Sequence, residues 1–166
     1  VLSHREVHPE DLARICQFPR SAEELYFLFP KATYPLTPEQ LQRAIEQRHD
    51  STVVLLDGQV CAFANFYVRE TAGACAIGNV VVAPEARSRG VGRYLIETMV
   101  RTALLEHRAR AVRVSCFNAN VAGLLLYAKL GFAPFAVEPR LDPQGARVAL
   151  IHMRLDGAAM DGYRRP

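Results

Sequence analysis

No apolar run in this chain of 166 residues is long enough to cross a bilayer; the longest, around residues 124–126, is interrupted by Lys129. No basic-then-apolar signal segment is read near the N-terminus. Both absences lead us to expect a cytoplasmic protein without membrane contact. Cysteine is scarce: Cys16, Cys61, Cys75 and Cys116 stand far apart and form no CxxC pair, which argues against a redox motif or a thiolate zinc site. Three of them lie in apolar, strand-like runs, the setting of buried free thiols in a reducing compartment. The histidines His4, His8, His49, His107 and His152 show no metal-ligand spacing either, so no metal is expected. A net charge of +3 is too small to suggest nucleic acid as a partner. Internal repeats and dividing linkers are also missing.

What is present is the composition of one ordinary globular domain, half of it apolar. Residues 9–17 and 22–29 read as short helices, the second with Ser21 as N-cap and Pro30 as a stop. Residues 37–49 form a clearer helix, with Thr37 as N-cap, Pro38 in the first turn and Gln40 three residues after the cap. A hairpin follows over 51–70, turning at Asp57–Gly58, then a third strand over 74–83. Helical spacing returns over 92–107, a strand over 111–117, and a helix that Gly131 ends, with Phe132 placed to pack back on it. Two last strands flank "LDPQG". The predicted fold is α/β (α+β): a mixed, mostly antiparallel sheet of six to seven strands with a central crossover, flanked by about four helices. One domain spans 1–155; the polar, turn-rich tail 156–166 is expected to fray unless it docks on a partner.

The most informative stretch is "VVVAPEARSRGVGRYL", residues 80–95. Arg87, Arg89 and Arg93 surround Gly90 and Gly92 where a strand gives way to a helix, leaving a net +2 between Glu85 and Arg93. A helix N-terminus presents unpaired amides and a positive dipole end, and glycine lets those amides close on an anion without Cβ obstruction. Arginine adds bidentate contacts to phosphate oxygens. The stretch therefore reads as a diphosphate cradle. It lacks the third glycine of a dinucleotide fingerprint, where Leu95 stands, and the Gly-Lys-Ser/Thr of a P-loop. Alone, the R-x-x-G-x-G pattern fits a solvated basic turn equally well. A second motif supports the cradle. Asn120 and Tyr127 lie two helical turns apart on one face, with Gly123 between them at a cost of about 1 kcal/mol against alanine.

Taken together, "VVVAPEARSRGVGRYL" and "NVAGLLLYAKLGF" resemble the two acetyl-CoA motifs of the GNAT superfamily of N-acetyltransferases, and the order of elements is similar over about residues 3–155. The resemblance implies transfer of an acetyl group from acetyl-CoA, the only cofactor expected, to a primary amine of unspecified identity, by direct attack in a ternary complex. It assigns the pyrophosphate to the amides of Arg87, Ser88, Arg89, Gly90, Val91, Gly92 and Arg93. Val80, Val81 and Val82 would pair with pantetheine and offer a main-chain N–H to the carbonyl oxygen. Asn120 would bond the cofactor arm, and Tyr127 would protonate the departing thiolate. Gly123 departs from the family's usual alanine and is expected to leave more room near the cofactor.

Amine deprotonation is the harder step, since an alkyl amine of pKa ~10.4 is only about one part in a thousand neutral at pH 7. The strand "ACAIGNVVV" carries no acid; Ala76 stands near where many family members place a glutamate. Water ordered by Asn79, or Glu70, Glu23 or Glu24, remain open as alternatives, and no base is assigned. Tyr26, Phe27, Phe29 and Tyr34, together with "EPRLDPQG" and its Arg140 and Asp142, are candidates to wall an acceptor pocket. Competing expectations are transfer of a longer acyl group admitted by Gly123, a CoA-binding regulatory module without turnover, and a nucleotide-dependent oxidoreductase. A homodimer is left open.

Overall fold

Asp57 and Gly58 both take positive φ (50° and 84°), the two-residue turn whose twist matches that of its flanking strands. It joins β2 (His49–Leu56) to β3 (Gln59–Arg69). In the computed structural model, which describes residues 1–165, these strands lie inside a seven-stranded sheet ordered β1-β2-β3-β4-β5-β7-β6. The others are β1 (Leu2–Glu6), β4 (Ala74–Val82), β5 (Ala111–Phe117), β6 (Ala133–Leu141) and β7 (Arg147–Asp156). Every pairing is antiparallel except β4 with β5. That parallel pair requires a crossover, which α4 (Val91–Leu105) supplies. The mixed, mostly antiparallel sheet agrees with the fold expected from the sequence.

Residues Val60 to Phe66 of β3 are all buried, so both faces of the sheet are covered there. Helix α4 contributes Leu95, Ile96, Met99, Val100 and Ala103 to that core, the one-faced spacing read in the sequence. Three helices precede the hairpin: α1 (Leu12–Ile15), α2 (Ala22–Leu28) and α3 (Pro38–Gln47). Ser21 and Thr37 cap α2 and α3 by accepting from the amides of Glu24 and Gln40. Helix α5 (Val121–Lys129) ends in a Schellman arrangement: Gly131 (φ 99°) donates to the Ala128 carbonyl and Phe132 to that of Tyr127. Among the described residues no helix is long and apolar enough to cross a membrane.

Two expectations change. Strand β1 was not anticipated, because an edge strand of sequence LSHRE carries almost no apolar alternation. The tail does not fray: it turns at Gly157 (φ 53°) into α6 (Ala158–Asp161) and docks on its own chain. Met160 is fully buried in the common core, and the Tyr163 hydroxyl donates to the Leu130 carbonyl at 2.6 Å. One buried thioether and one hydrogen bond are enough to hold a segment whose composition reads as solvated.

Candidate active site

The site begins where two strands part. β4 and β5 pair from Ala74 with Ala111 to Ile77 with Val114, and no further. The cause lies on the other side of β4, where the register with β3 runs Phe63 with Val81 and Asn65 with Gly78. β4 therefore carries one extra residue, a bulge at which Asn79 adopts φ 53°. Bulges bend and twist a strand, and this one carries β4 away from β5, leaving Val80 and Val82 half-buried beside an open edge while the Val81 side chain stays in the core. The Ala83 amide reaches back to Cys61 on β3 at 2.8 Å. By strand alternation the main chain of Val82 then faces the open side, where its carbonyl accepts from Arg87 Nε at 3.3 Å.

The loop after β4 delivers its amides to the same place. Ser88 (φ 61°) and Gly90 (φ 79°) take left-handed conformations, and Gly90 caps α4 without any side-chain cap. Among the described residues, the backbone amides from Ser88 to Arg93 find no acceptor within the chain. Gly92 lies between both motifs: a Cβ there would come within 3.2 Å of Leu126 Cδ2 on α5 and 3.7 Å of Val82 Cγ2. The arginines are less available than the sequence suggests. Arg87 pairs with Glu24 at 2.8 Å and Arg93 with Glu97 at 2.8 Å along α4, leaving Arg89 as the cation of this loop without a carboxylate within ion-pair distance among the described residues.

On α5, Asn120 is the N-cap, its Oδ1 accepting from the Gly123 amide at 3.1 Å. Its Nδ2 makes no hydrogen bond among the described residues. The extra room expected at Gly123 is taken by the chain itself: a Cβ there would stand 2.8 Å from Asn120 Nδ2 and 3.0 Å from Cys116 Sγ. A side chain there would press on the Asn120 cap and on Cys116 at the end of β5. Cys116 is a buried free thiol pushed up to about 11 by burial, and the other three cysteines are free as well.

Tyr127 is 6% exposed and packs edge-on against Phe132, with centroids 6.0 Å apart. Its hydroxyl makes no hydrogen bond among the described residues, and its oxygen, unlike Ser51 Oγ, is not sealed from solvent. Burial, with the Cys116 thiol adding to it, raises its pKa well above the ordinary phenol value. It stays protonated.

Beside the parting strands lies a cavity of ≈ 640 Å³ between α2, α3 and the sheet. Phe27, Phe29 and Arg140 line it, whereas Tyr26 stacks on Phe117 (4.6 Å) and Tyr34 donates to the Arg20 carbonyl. Asp142 closes the β6–β7 turn by accepting from the amides of Gln144 and Ala146. None of the acids considered as a base lines this cavity. Glu24 is bonded to Arg87 and the Arg20 amide, Glu70 accepts from the Ala74 amide, and Glu23 lies on the exposed face of α2. Asn79 is committed too, donating to the Leu28 carbonyl and accepting from Asn65.

What the sequence did not reveal is a polar chain across the cavity wall. His152 Nδ1 lies 2.7 Å from Ser115 Oγ, which lies 3.3 Å from the Tyr67 hydroxyl, while His152 Nε2 stands 3.6 Å from Glu138. The β5–β7 register sets Ser115 opposite His152. No motif signals this, because the two residues are far apart in the chain and meet only across the strand pair.

The sequence model of the acetyltransferase (GNAT) family matches residues 15–132. Among solved structures, the chain is similar to spermidine N-acetyltransferase from Vibrio cholerae, in complex with CoA and spermine, at 14% identity and a TM-score of 0.80, covering 96% of this chain and 97% of that one. It is also similar to the ribosomal-protein-S18-alanine N-acetyltransferase from Escherichia coli (19% identity, TM-score 0.73, 95% and 96% covered). The ribosomal-protein-alanine N-acetyltransferase from Brucella melitensis is a further match (18%, 0.74, 92% and 98%). At these identities the structural likeness speaks for the fold.

Proposed function

The chain belongs to the acetyltransferase (GNAT) family and is an acetyl-CoA-dependent N-acetyltransferase, and from that premise we propose that its acceptor is a small primary amine held in the cavity beside β4. The observation that carries this reading is the run of unpaired amides from Ser88 to Arg93 at the mouth of the gap between β4 and β5. A diphosphate satisfies such donors, and the dipole of α4 adds to the attraction. Arg89 supplies the nearby charge and Arg93 contributes through its main chain, whereas the Arg87 amide, expected to join them, already donates to the Pro84 carbonyl. Asn120 Nδ2 is free to donate to the cofactor arm, with Gly123 holding its cap. Main-chain groups of Val80 and Val82 at the open edge are positioned to pair with an extended chain, and their N–H groups to polarise a carbonyl oxygen; Val81 anchors that edge in the core.

Acetyl-CoA supplies the thioester that the amine attacks. As the C–S bond breaks, Tyr127 donates its hydroxyl proton to the sulfur, a step uphill against an ordinary thiol pKa of ~8.5 that the bond cleavage drives, and it regains a proton from solvent once the free thiol leaves. The amine's proton goes to Ser115, which passes its own to His152 Nδ1 over 2.7 Å. Glu138 faces Nε2 and favours the tautomer that leaves Nδ1 as the acceptor. Two measurements test this reading together. Coenzyme A should raise the melting temperature, by up to ~2.7 kcal/mol of stability at about 100 times its dissociation constant, and NAD should not. Free thiol should then appear from acetyl-CoA only when an amine is added. Stabilisation by NAD alone would overturn the diphosphate assignment.

A further inference from the structure

The cavity wall is cationic and has no acid on it. Lys31, Arg43, Arg48 and Arg140 line it, and among the described residues no aspartate or glutamate does. Arg140 is balanced by Glu138. Lys31, Arg43 and Arg48 have no carboxylate within 4.0 Å among the described residues.

Arg48 is the telling member. It follows α3 directly, and the chain then enters β2, which aims its side chain over β4. Nη1 donates to Asn65 Oδ1 at 3.2 Å, and the guanidinium lies 5.4 Å from the Tyr67 ring centroid. Asn65 is fixed in turn by Asn79, which holds the Leu28 carbonyl. Gly78 makes the approach possible, because a Cβ there would stand 2.6 Å from Nη1 and 2.8 Å from Tyr67 Cδ1. Gly78 directly follows Ile77, the last residue of β4 that pairs with β5. The cation is therefore held over the point where the strands part, against the neutral Asn65 and Tyr67, with one of its five N–H donors used among the described residues. Burial lowers its pKa. A half-buried, rigidly held cation without a counter-ion is costly to keep, and a bound anion removes the cost.

We infer that the acceptor amine carries an anionic group, a carboxylate or phosphonate, that binds Arg48 as a fork while Lys31 and Arg43 draw it into the cavity. The inference rests on the acetyltransferase reading above. A cationic acceptor such as a polyamine meets repulsion in the same place. The arrangement also serves the chemistry, because a fixed cation near an ammonium lowers the ammonium's pKa and favours the neutral, attacking form.

The test uses the full chain at saturating acetyl-CoA and follows thiol release with matched acceptors. These are α-amino acids against their carboxamides, aminoalkylphosphonates against the corresponding alkylamines, and spermidine. We expect at least one acid to exceed its neutral counterpart tenfold or more in kcat/KM, with spermidine unused. Arg48→Gln should raise KM for that acid at least tenfold while KM for acetyl-CoA stays unchanged. Because Arg48 also supports Asn65, the double variant Lys31→Gln/Arg43→Gln, at exposed sites outside that network, provides the second reading and should raise the same KM severalfold. Equal or better use of carboxamides, alkylamines or spermidine overturns the inference, as does an enzyme that acetylates none of the acids. If coenzyme A still raises the melting temperature in those cases, the cofactor reading stands. If it does not, both fall.

Discussion

Replacing Tyr127 by phenylalanine removes a single hydroxyl and leaves the ring in its edge-on contact with Phe132 at 6.0 Å. That hydroxyl makes no hydrogen bond among the described residues, so no partner is stranded by its loss. The hydroxyl oxygen keeps contact with solvent and strands no partner when removed, so deleting it should change stability by no more than about 1 kcal/mol. Turnover should behave differently. Loss of a general acid lowers kcat by roughly 10²–10⁴, which is about 3–5 kcal/mol of barrier. Melting curves with and without coenzyme A, set beside kcat from thiol release, separate the two effects. The pH dependence gives an independent reading. Burial raises the folded-state pKa of Tyr127, so its contribution to stability is complete below the ordinary phenol value of ~10 and is lost as pH rises above it. The Phe variant should lose less stability than the parent on the alkaline side. A normal kcat in Tyr127→Phe, or a fall in melting temperature with turnover per folded molecule preserved, would refute the proton-donor role and make this an ordinary core tyrosine.

His152→Gln keeps a hydrogen-bonding group beside Ser115 and deletes the imidazole; kcat should fall by about 10²–10⁴ with KM for acetyl-CoA unchanged, and an unaffected kcat would remove His152 from the proton path. Gly92→Ala meets only the mobile end of Leu126 at 3.2 Å and should bind coenzyme A nearly normally. Gly92→Val forces methyls into the gap beside Val82 and should weaken binding at least tenfold in calorimetry while costing roughly 1–3 kcal/mol of stability; equal affinity of the two variants would exclude the amide cradle. Asp11 is buried, and the hydrogen bonds from Arg5 hold its carboxyl below the ordinary value, assisted by the His8 amide. Its stabilisation is present above pH ~4 and lost as pH falls through the folded value, so Asp11→Asn should lower stability at neutral pH by about 1–3 kcal/mol and flatten the acid limb of the stability curve.

Local chemistry was legible wherever a single segment carried its own reason. Asp57–Gly58 can only be a tight turn, Ser21 and Thr37 cap the helices they precede, and Gly131 with Phe132 closes α5, because each is decided by backbone and side-chain groups within a few residues. The unpaired amides from Ser88 to Arg93 were legible for the same reason, since they follow from the strand-to-helix switch itself. Tertiary structure decided what those groups are free to do. Glu24, far away in sequence, takes Arg87; Cys116 and Asn120 fill the space at Gly123; Met160 draws an apparently solvated tail into the core. The Ser115–His152 contact and the uncompensated Arg48 were hidden for a related cause. His152 meets Ser115 only through the register of β5 with β7, and Arg48 reaches the parting strands only because Gly78 lies beneath it. Sequence determines the preferences of each segment over the few residues that a hydrogen bond can span, whereas pairings between distant segments depend on strand register and packing, which exist only once the chain has folded.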